Sequence, residues 1–575
     1  MKKQILAITL AMSLAIPNIA TAEETQLPTD VPVETPVEET SAEPATSLSP
    51  EISASEEPTS IPTPSVSPEV SESTEPTLEP TEEPTAEPSV EPTPVPQWID
   101  VTAKGKDNKI ILQWNDIEGA SFYMVSEKKD DGFIELQTVY EGKAEIDLEA
   151  GESCEYKVTA LSEDESDQSL PQTILAEGTI EVTNPSKVKD LRYTVKNSKS
   201  AILAWNKTEG ATEYNIYKKG KLYKTTKKLK ITVPVNKSYS VSAVNKTSFV
   251  EIEGQAQNIK TTYRKTVVST GHSKYSYAEM IGDIRILSRQ YSEYCHYRSI
   301  GNTVDNRNLW EVTVGNLDAK KSLLVMGALH AREYMTSQLC MKQIEYYLQN
   351  YNKEIRGIKV SKLLNIVNIK FIPMVNPDGV TISQYGLKRI RNRKLRTSLA
   401  KYRPTSRWKS NARGVDLNNN YPITYIANHG KRGSSGYSGP RSASELETQA
   451  IIKWVNENKS KALGIVNYHA MGSIVFGDTN RRMNAHTRKW TTKMYRLARS
   501  VTGYASSAGY GSGGRSVGNF REYVTEKKQI PCITLEIGYG GCPLSAGQFG
   551  GIWSRNATLP LREAYLLRPS ITHTN

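Results

Sequence analysis

The chain has 575 residues, 38% hydrophobic and 23% charged, with 72 Lys and Arg against 62 Asp and Glu and 5 Cys. That length leaves room for about three or four domains, and outside the N-terminus no uninterrupted apolar stretch approaches the ~18 residues of a bilayer span. The net charge of +10 conceals a division: residues 23–96 hold 18 acids and no Lys or Arg, so residues 97–575 carry 70 bases against 44 acids. A basic excess of that kind suits either a nucleic-acid binder or a protein working on an anionic polymer.

The first 22 residues choose between these. Lys2 and Lys3 precede an apolar run over 5–16, and Ala20-Thr21-Ala22 supplies a small-residue cleavage pattern; together they predict a signal peptide over 1–22 and a secreted or wall-associated mature chain. Export points away from nucleic acid as a partner, and no transmembrane segment is expected in the mature chain. Residues 23–96 hold 16 of the 29 prolines and no aromatic residue. With no apolar area to offset chain entropy, this stretch is expected to be a disordered acidic spacer.

From residue 97 the pattern turns to alternating apolar and polar residues, and it repeats. Ile111-Leu112-Gln113-Trp114-Asn115 with Tyr123 matches Ile202-Leu203-Ala204-Trp205-Asn206 with Tyr214, 91 residues later. Period-2 patterning with one early Trp per copy predicts two antiparallel β-sandwich modules, 97–183 and 184–264, with each Trp in a core rather than stacking on sugar. The two copies resemble fibronectin type III modules. The Lys-rich edge over 218–230 would face an anionic wall polymer if the modules bind anything.

Beyond residue 272 the period changes again. Ser276 with Glu279 and Ser444 with Glu447 each form a capping-box pattern before apolar residues at helical spacing. Apolar runs over 322–328, 366–375, 462–467 and 530–535 read as buried strands. Strands alternating with helices predict an α/β domain over 272–566 with a mixed, mostly parallel sheet. The overall expectation is therefore a multidomain chain, two all-β modules followed by an α/β domain.

Residues able to carry chemistry collect where those strands end. Leu329-His330-Ala331-Arg332-Glu333 places a His and a Glu one turn apart, Asn467-Tyr468-His469 closes another strand, and Thr534-Leu535-Glu536 a third. Two imidazoles and one carboxylate suit Zn²⁺ with its fourth position open to water, as hydrolysis requires. The ordered set His330-Ala331-Arg332-Glu333, Asn376-Pro377-Asp378-Gly379, Gly414-Val415-Asp416-Leu417-Asn418, Tyr468-His469 and Thr534-Leu535-Glu536-Ile537-Gly538 resembles the zinc carboxypeptidase family over about 272–566.

That resemblance implies that His330, Glu333 and His469 hold one Zn²⁺, that Glu536 is the general base, and that Arg332, Asn418, Asn419 and Tyr510 meet substrate, Tyr504 being an alternative to Tyr510. A cation for the oxyanion is implied after a Trp; here Trp408 is followed by Lys409, with Arg413 as rival. The family places Asn-Arg where this chain has Asn418-Asn419, and that Arg pairs with a substrate's terminal carboxylate. With Asn419 the charge is gone. Trp408-Lys409 and Cys542-Pro543-Leu544 further resemble the γ-D-glutamyl-L-diamino acid peptidases, which implies a peptide or muropeptide substrate in peptidoglycan. A metallocarboxypeptidase trimming ordinary peptides, and a wall-binding adhesin with an inert domain, stand as alternatives. The bases over 388–396 are read as a solvated face or a site for anionic polymer. The odd cysteine count leaves at least one thiol unpaired, with a Cys532–Cys542 bridge open.

Overall fold

The computed structural model describes residues 97–162, 173–507 and 516–569. The expected signal peptide and acidic spacer, and Tyr510, lie outside them. No helix among the described residues is long and apolar enough to cross a membrane.

The 91-residue repeat survives into atomic detail. Trp114 and Trp205, 5% and 2% exposed, lie just past the strands Lys109–Gln113 and Ser200–Ala204, each with its ring centroid 5.4 Å from the partner tyrosine, Tyr123 or Tyr214. The Ile117 N–H donates to the Tyr123 hydroxyl at 2.8 Å and the Thr208 N–H to the Tyr214 hydroxyl at 3.0 Å. A buried phenol finds its partner in the same turn in both copies, as burial of a polar tip requires.

Strands over 97–260 form three sheets. Five strands, in the order Gln97–Trp98, Thr173–Thr183, Ser153–Ser162, Phe122–Lys129 and Gly132–Val139, make one; Lys230–Pro234, Ser200–Ala204 and Arg192–Val195 make a second. The third crosses the expected module boundary. Val250–Glu253 pairs antiparallel with Ser238–Lys246 and parallel with Thr102–Lys106, Val250 opposite Ala103, so the sheet holding Glu213–Lys218 and Ser238–Lys246 runs on into Thr102–Lys106, Lys109–Gln113 and Lys143–Asp147. Val250 and Ile252 accordingly pack with Trp114 and Tyr123 in the first core.

The second core continues into the C-terminal domain. Trp205 and Tyr214 share one apolar cluster with Val268, Tyr275, Met280 and Tyr291. The Ser292 hydroxyl donates to the Tyr193 carbonyl at 2.7 Å, and the Glu293 N–H to the Thr194 hydroxyl at 3.0 Å.

In that domain eight strands form a mixed sheet, in the order Cys295–Asn302, Asn308–Val314, Val367–Ile372, Lys321–Met326, Ala462–His469, Cys532–Glu536, Ile474–Phe476 and Ala505–Ser506. The central four, from Val367–Ile372 to Cys532–Glu536, are mutually parallel and buried along nearly their whole length, which is why they read as continuous apolar runs. The helix Tyr277–Gln290 opens with the expected capping box of Ser276 and Glu279. The expected box at Ser444 does not form. Its helix begins at Leu446 after Glu445, because the Ser444 hydroxyl donates to the Glu445 carboxylate at 2.7 Å and accepts from the Asn420 amide at 3.0 Å.

Candidate metal centre

Three adjacent parallel strands deliver the site. Lys321–Met326 leads into the loop of His330 and Glu333, while His469 and Glu536 are the last residues of their strands and sit opposite each other in register. The loop is pulled tight from within. Thr336 accepts from the Ala328 N–H at 2.6 Å and donates to the Glu333 carbonyl at 2.7 Å. The Asn376 N–H donates to the Ala328 carbonyl at 3.0 Å, its amide donates to the Leu329 carbonyl at 3.3 Å, and its side-chain oxygen caps Gly379 at the start of the helix Pro377–Tyr385. Only glycine fits at 379, where a Cβ would lie 2.5 Å from the Ser410 carbonyl oxygen.

His330, Glu333 and His469 are buried, and one ligand atom from each falls within 4.8 Å of the others. His330 Nδ1 lies 2.8 Å from Glu333 Oε1, and His469 Nδ1 lies 3.0 Å from Glu333 Oε2 and 3.0 Å from His330 Nδ1. On the outer side His330 Nε2 faces Asp416 Oδ1 at 3.1 Å. A carboxylate only accepts, so the proton of neutral His330 belongs on Nε2 and a lone pair on Nδ1 points at Glu333 and His469. His469 Nε2 lies 3.0 Å from the Asn467 side-chain nitrogen, a donor. The His330 lone pair and the Glu333 carboxylate repel one another unless a cation lies between them. The donor set therefore fits a divalent ion, and its composition fits zinc. Burial works against ionisation of Glu333, but the facing His330 and His469 outweigh it and hold its carboxyl well below the usual range.

Asp416 ties this cluster to the candidate cation. Lys409 Nζ lies 3.1 Å from Asp416 Oδ2, and the carboxylate also accepts from the Asn418 N–H at 3.1 Å and the Gly436 N–H at 2.9 Å. The Lys409 carbonyl accepts from the Ala331 N–H at 3.0 Å, which fixes the base of the lysine to the metal loop. Asp416 has no role in the sequence reading beyond its motif. One signal was available: it is the single acid between Asp378 and Glu445. Arg413 is directed elsewhere, its Nε 3.7 Å from Glu445 Oε2.

Glu536 has its carboxyl pushed up to about 7, by burial first and the charge of Glu333 second, with His469, Lys409 and Arg332 opposing. Arg332 donates from Nη1 to the Arg407 carbonyl at 3.4 Å, and its Nε is buried without a partner. Asn418 and Asn419 hold a neighbouring loop: the Asn418 side-chain oxygen accepts from the Phe520 N–H at 3.1 Å, and the Asn419 amide donates to the Val517 carbonyl at 3.0 Å. Tyr504 is buried, its hydroxyl accepting from Asn556 at 2.8 Å, and so does not face the site. All five cysteines are free thiols.

A likeness to one known family falls on this same region. The zinc carboxypeptidase family matches residues 280–558. Gamma-D-glutamyl-L-diamino acid endopeptidase 1 of Lysinibacillus sphaericus is 25% identical over 306 residues, 52% of this chain and 74% of that protein. Metallocarboxypeptidase A of Trichophyton rubrum is 27% identical over 212 residues, 35% of this chain and 46% of that one. Among solved structures, thrombin activatable fibrinolysis inhibitor shares 17% identity with a TM-score of 0.43, covering 53% of this chain and 77% of its own. Residues 280–558, with their His-Glu-His cluster, are a zinc peptidase domain of the zinc carboxypeptidase type.

Proposed function

We propose that this peptidase is exported and cleaves the stem peptides of peptidoglycan, at the bond between D-glutamate and meso-diaminopimelate. The observation that carries the reading is Asn419. Where the family resemblance calls for an arginine that grips a terminal carboxylate, this chain has an amide already donated to the Val517 carbonyl, which has neither the charge nor the freedom for that task. The rival cation Arg413 is drawn toward Glu445. The relative from Lysinibacillus sphaericus, named for the γ-D-glutamyl-L-diamino acid bond, supports the same choice. So do the leader pattern at 1–22 and the basic excess beyond the acidic spacer, which suit export to an anionic wall. The β-rich half, with its fibronectin-like repeat, serves as a spacer.

His330, Glu333 and His469 would hold zinc, which when bound polarises the scissile carbonyl and acidifies water. Glu536, poised near neutrality, takes a proton from the attacking water and passes it to the leaving nitrogen. Lys409 sets an ammonium against the oxygen on which negative charge develops. Asp416 orients both His330 and Lys409 from one carboxylate.

Mass spectrometry of the products tests this. The full mature chain with Zn²⁺, beside a Glu536→Gln control, is given soluble muropeptides and peptides with free or amidated C-termini. Release at the γ-D-glutamyl bond that depends on Glu536 is expected. Trimming of free C-termini alone would make it an ordinary exopeptidase. The full chain is needed because the Trp205 core runs unbroken into the catalytic domain.

A further inference from the structure

Where the β-rich half meets the catalytic domain there is a cleft of about 720 Å³, away from the metal centre. Its walls are the strands Arg192–Val195 and Gln257–Lys260, the segment up to Arg264, the exposed face of the helix Tyr277–Gln290, and Tyr297. Arg192, Lys260, Arg264, Arg285 and Arg289 line it, and no Asp or Glu does. Among the described residues only Arg192 of these five has an ion-pair partner, Asp190 at 2.6 Å.

The walls are fixed before any ligand arrives. The Arg264 N–H donates to Gln290 at 2.8 Å, the Gln290 amide returns a bond to the Arg264 carbonyl at 3.1 Å, and the Tyr193 hydroxyl donates to the Thr262 carbonyl at 3.2 Å. Into this rigid frame the sequence places like charges that folding does not need. Arg285 and Arg289 stand one helical turn apart, a pairing that weakens a helix, and neither bonds to the opposite wall. Tyr297, 40% exposed, presents its ring at the rim, held edge-on against Trp310 at 5.5 Å.

Unpaired guanidinium groups that converge from two walls recognise carboxylate or phosphate groups, and a fixed, half-exposed aromatic ring offers an apolar face to a sugar. We propose that this cleft binds a strand of acidic polysaccharide, its anionic groups meeting Lys260, Arg264, Arg285 and Arg289 and one ring lying on Tyr297. The enzyme is thereby held on an anionic glycan at a distance from its metal centre. The site stands whichever bond the metal centre cuts.

Fluorescence anisotropy with the full zinc-loaded chain tests the site. Labelled polygalacturonate serves as acidic polysaccharide, dextran as neutral polysaccharide, and polyphosphate as charge without sugar. Polygalacturonate is expected to bind and dextran not. The pair Arg264→Gln and Arg285→Gln should weaken binding about tenfold or more, and Tyr297→Ala about threefold. The pair Lys388→Gln and Arg389→Gln, on an exposed basic face outside the cleft, should leave it unchanged. Hydrolysis of a soluble peptide and the melting temperature, unchanged in all variants, separate lost binding from lost folding. Three results would overturn the proposal: no binding of polygalacturonate, loss with the outside pair in place of the cleft pair, or polyphosphate binding equally well with Tyr297→Ala silent, which would leave a simple anion site.

Discussion

The two halves of this molecule bury different kinds of polar residue. Among the described residues between 97 and 264 the buried polar side chains are all neutral: Ser126, Thr159, Asn184, Thr194, Thr208, Ser242 and Thr261. The catalytic half buries His330, Glu333, Asp416 and His469, and beyond them Asp305, Arg307, Asp378, Glu445 and Glu447. A buried charge is costly unless another faces it, so a fold whose only task is to hold its shape avoids it. The β-rich half specifies itself with paired aromatics, and the catalytic half accepts charge where an ion and a proton must be handled. Substitutions in the core of the first half should therefore change stability alone, and those among the buried charges of the second should change chemistry and pH dependence.

The sharpest test is Glu536→Gln, which keeps the shape and removes the base. Turnover should fall by about 10² to 10⁴, the usual worth of a positioned acid–base group, with zinc content unchanged by elemental analysis. Loss of zinc would mean that Glu536 holds the site together instead of acting in it. Next comes Lys409→Met. Removing the ammonium should lower kcat by about 10², as for one lost oxyanion donor, with little change in KM, while Arg413→Gln stays close to wild type. A fall in zinc affinity with Lys409→Met would show that the lysine acts through Asp416 on His330.

Charge burial away from the metal predicts a pH effect on folding. Glu447 is pushed up to about 8 by burial first, then by the charges of Asp378 and Glu445. Between its unfolded value near 4.5 and its folded value the native state holds a proton that the unfolded chain has released. Stability is then full below about 4.5 and lost as pH rises to 8, by up to about 1.4 kcal/mol per unit for this one group. Denaturant titrations of Glu447→Gln against wild type from pH 4.5 to 8 should show a shallower decline in the variant. Equal slopes would place Glu447 in its ordinary range.

These groups differ in how readily the chain reveals them. His330, Glu333 and His469 are legible because metal chemistry restricts residue type and because each follows a buried strand that its own apolar run announces. The role of Asp416 is hidden, since its partners His330 and Lys409 are brought to it by tertiary structure. The missing cap at Ser444 has the same origin: Asn420, a residue on another loop, claims that hydroxyl. The pairing of Val250–Glu253 with Thr102–Lys106 is also beyond a period-2 pattern, which says which residues face a core but not which strand lies alongside.

The smallest predicted effect tests the neutral half. Tyr123 and Tyr214 stand at equivalent places in the repeat, each accepting one backbone N–H and each packed on its tryptophan. Replacing either with Phe keeps the ring and strands one amide, at a cost of about 1 kcal/mol, the same at every pH from 5 to 8 because no charge is involved. The two sites differ in what lies beyond them. Tyr123 belongs to a core shared only among β-strands, whereas the core of Tyr214 continues into the catalytic domain. If the halves unfold together, Tyr123→Phe and Tyr214→Phe lower the midpoint of one common transition by the same amount. If they unfold apart, Tyr214→Phe also lowers the temperature at which activity is lost and Tyr123→Phe does not. Melting curves recorded alongside residual hydrolysis distinguish these, and a pH-dependent cost at either tyrosine would break the contrast between a neutral scaffold and a charged catalytic half.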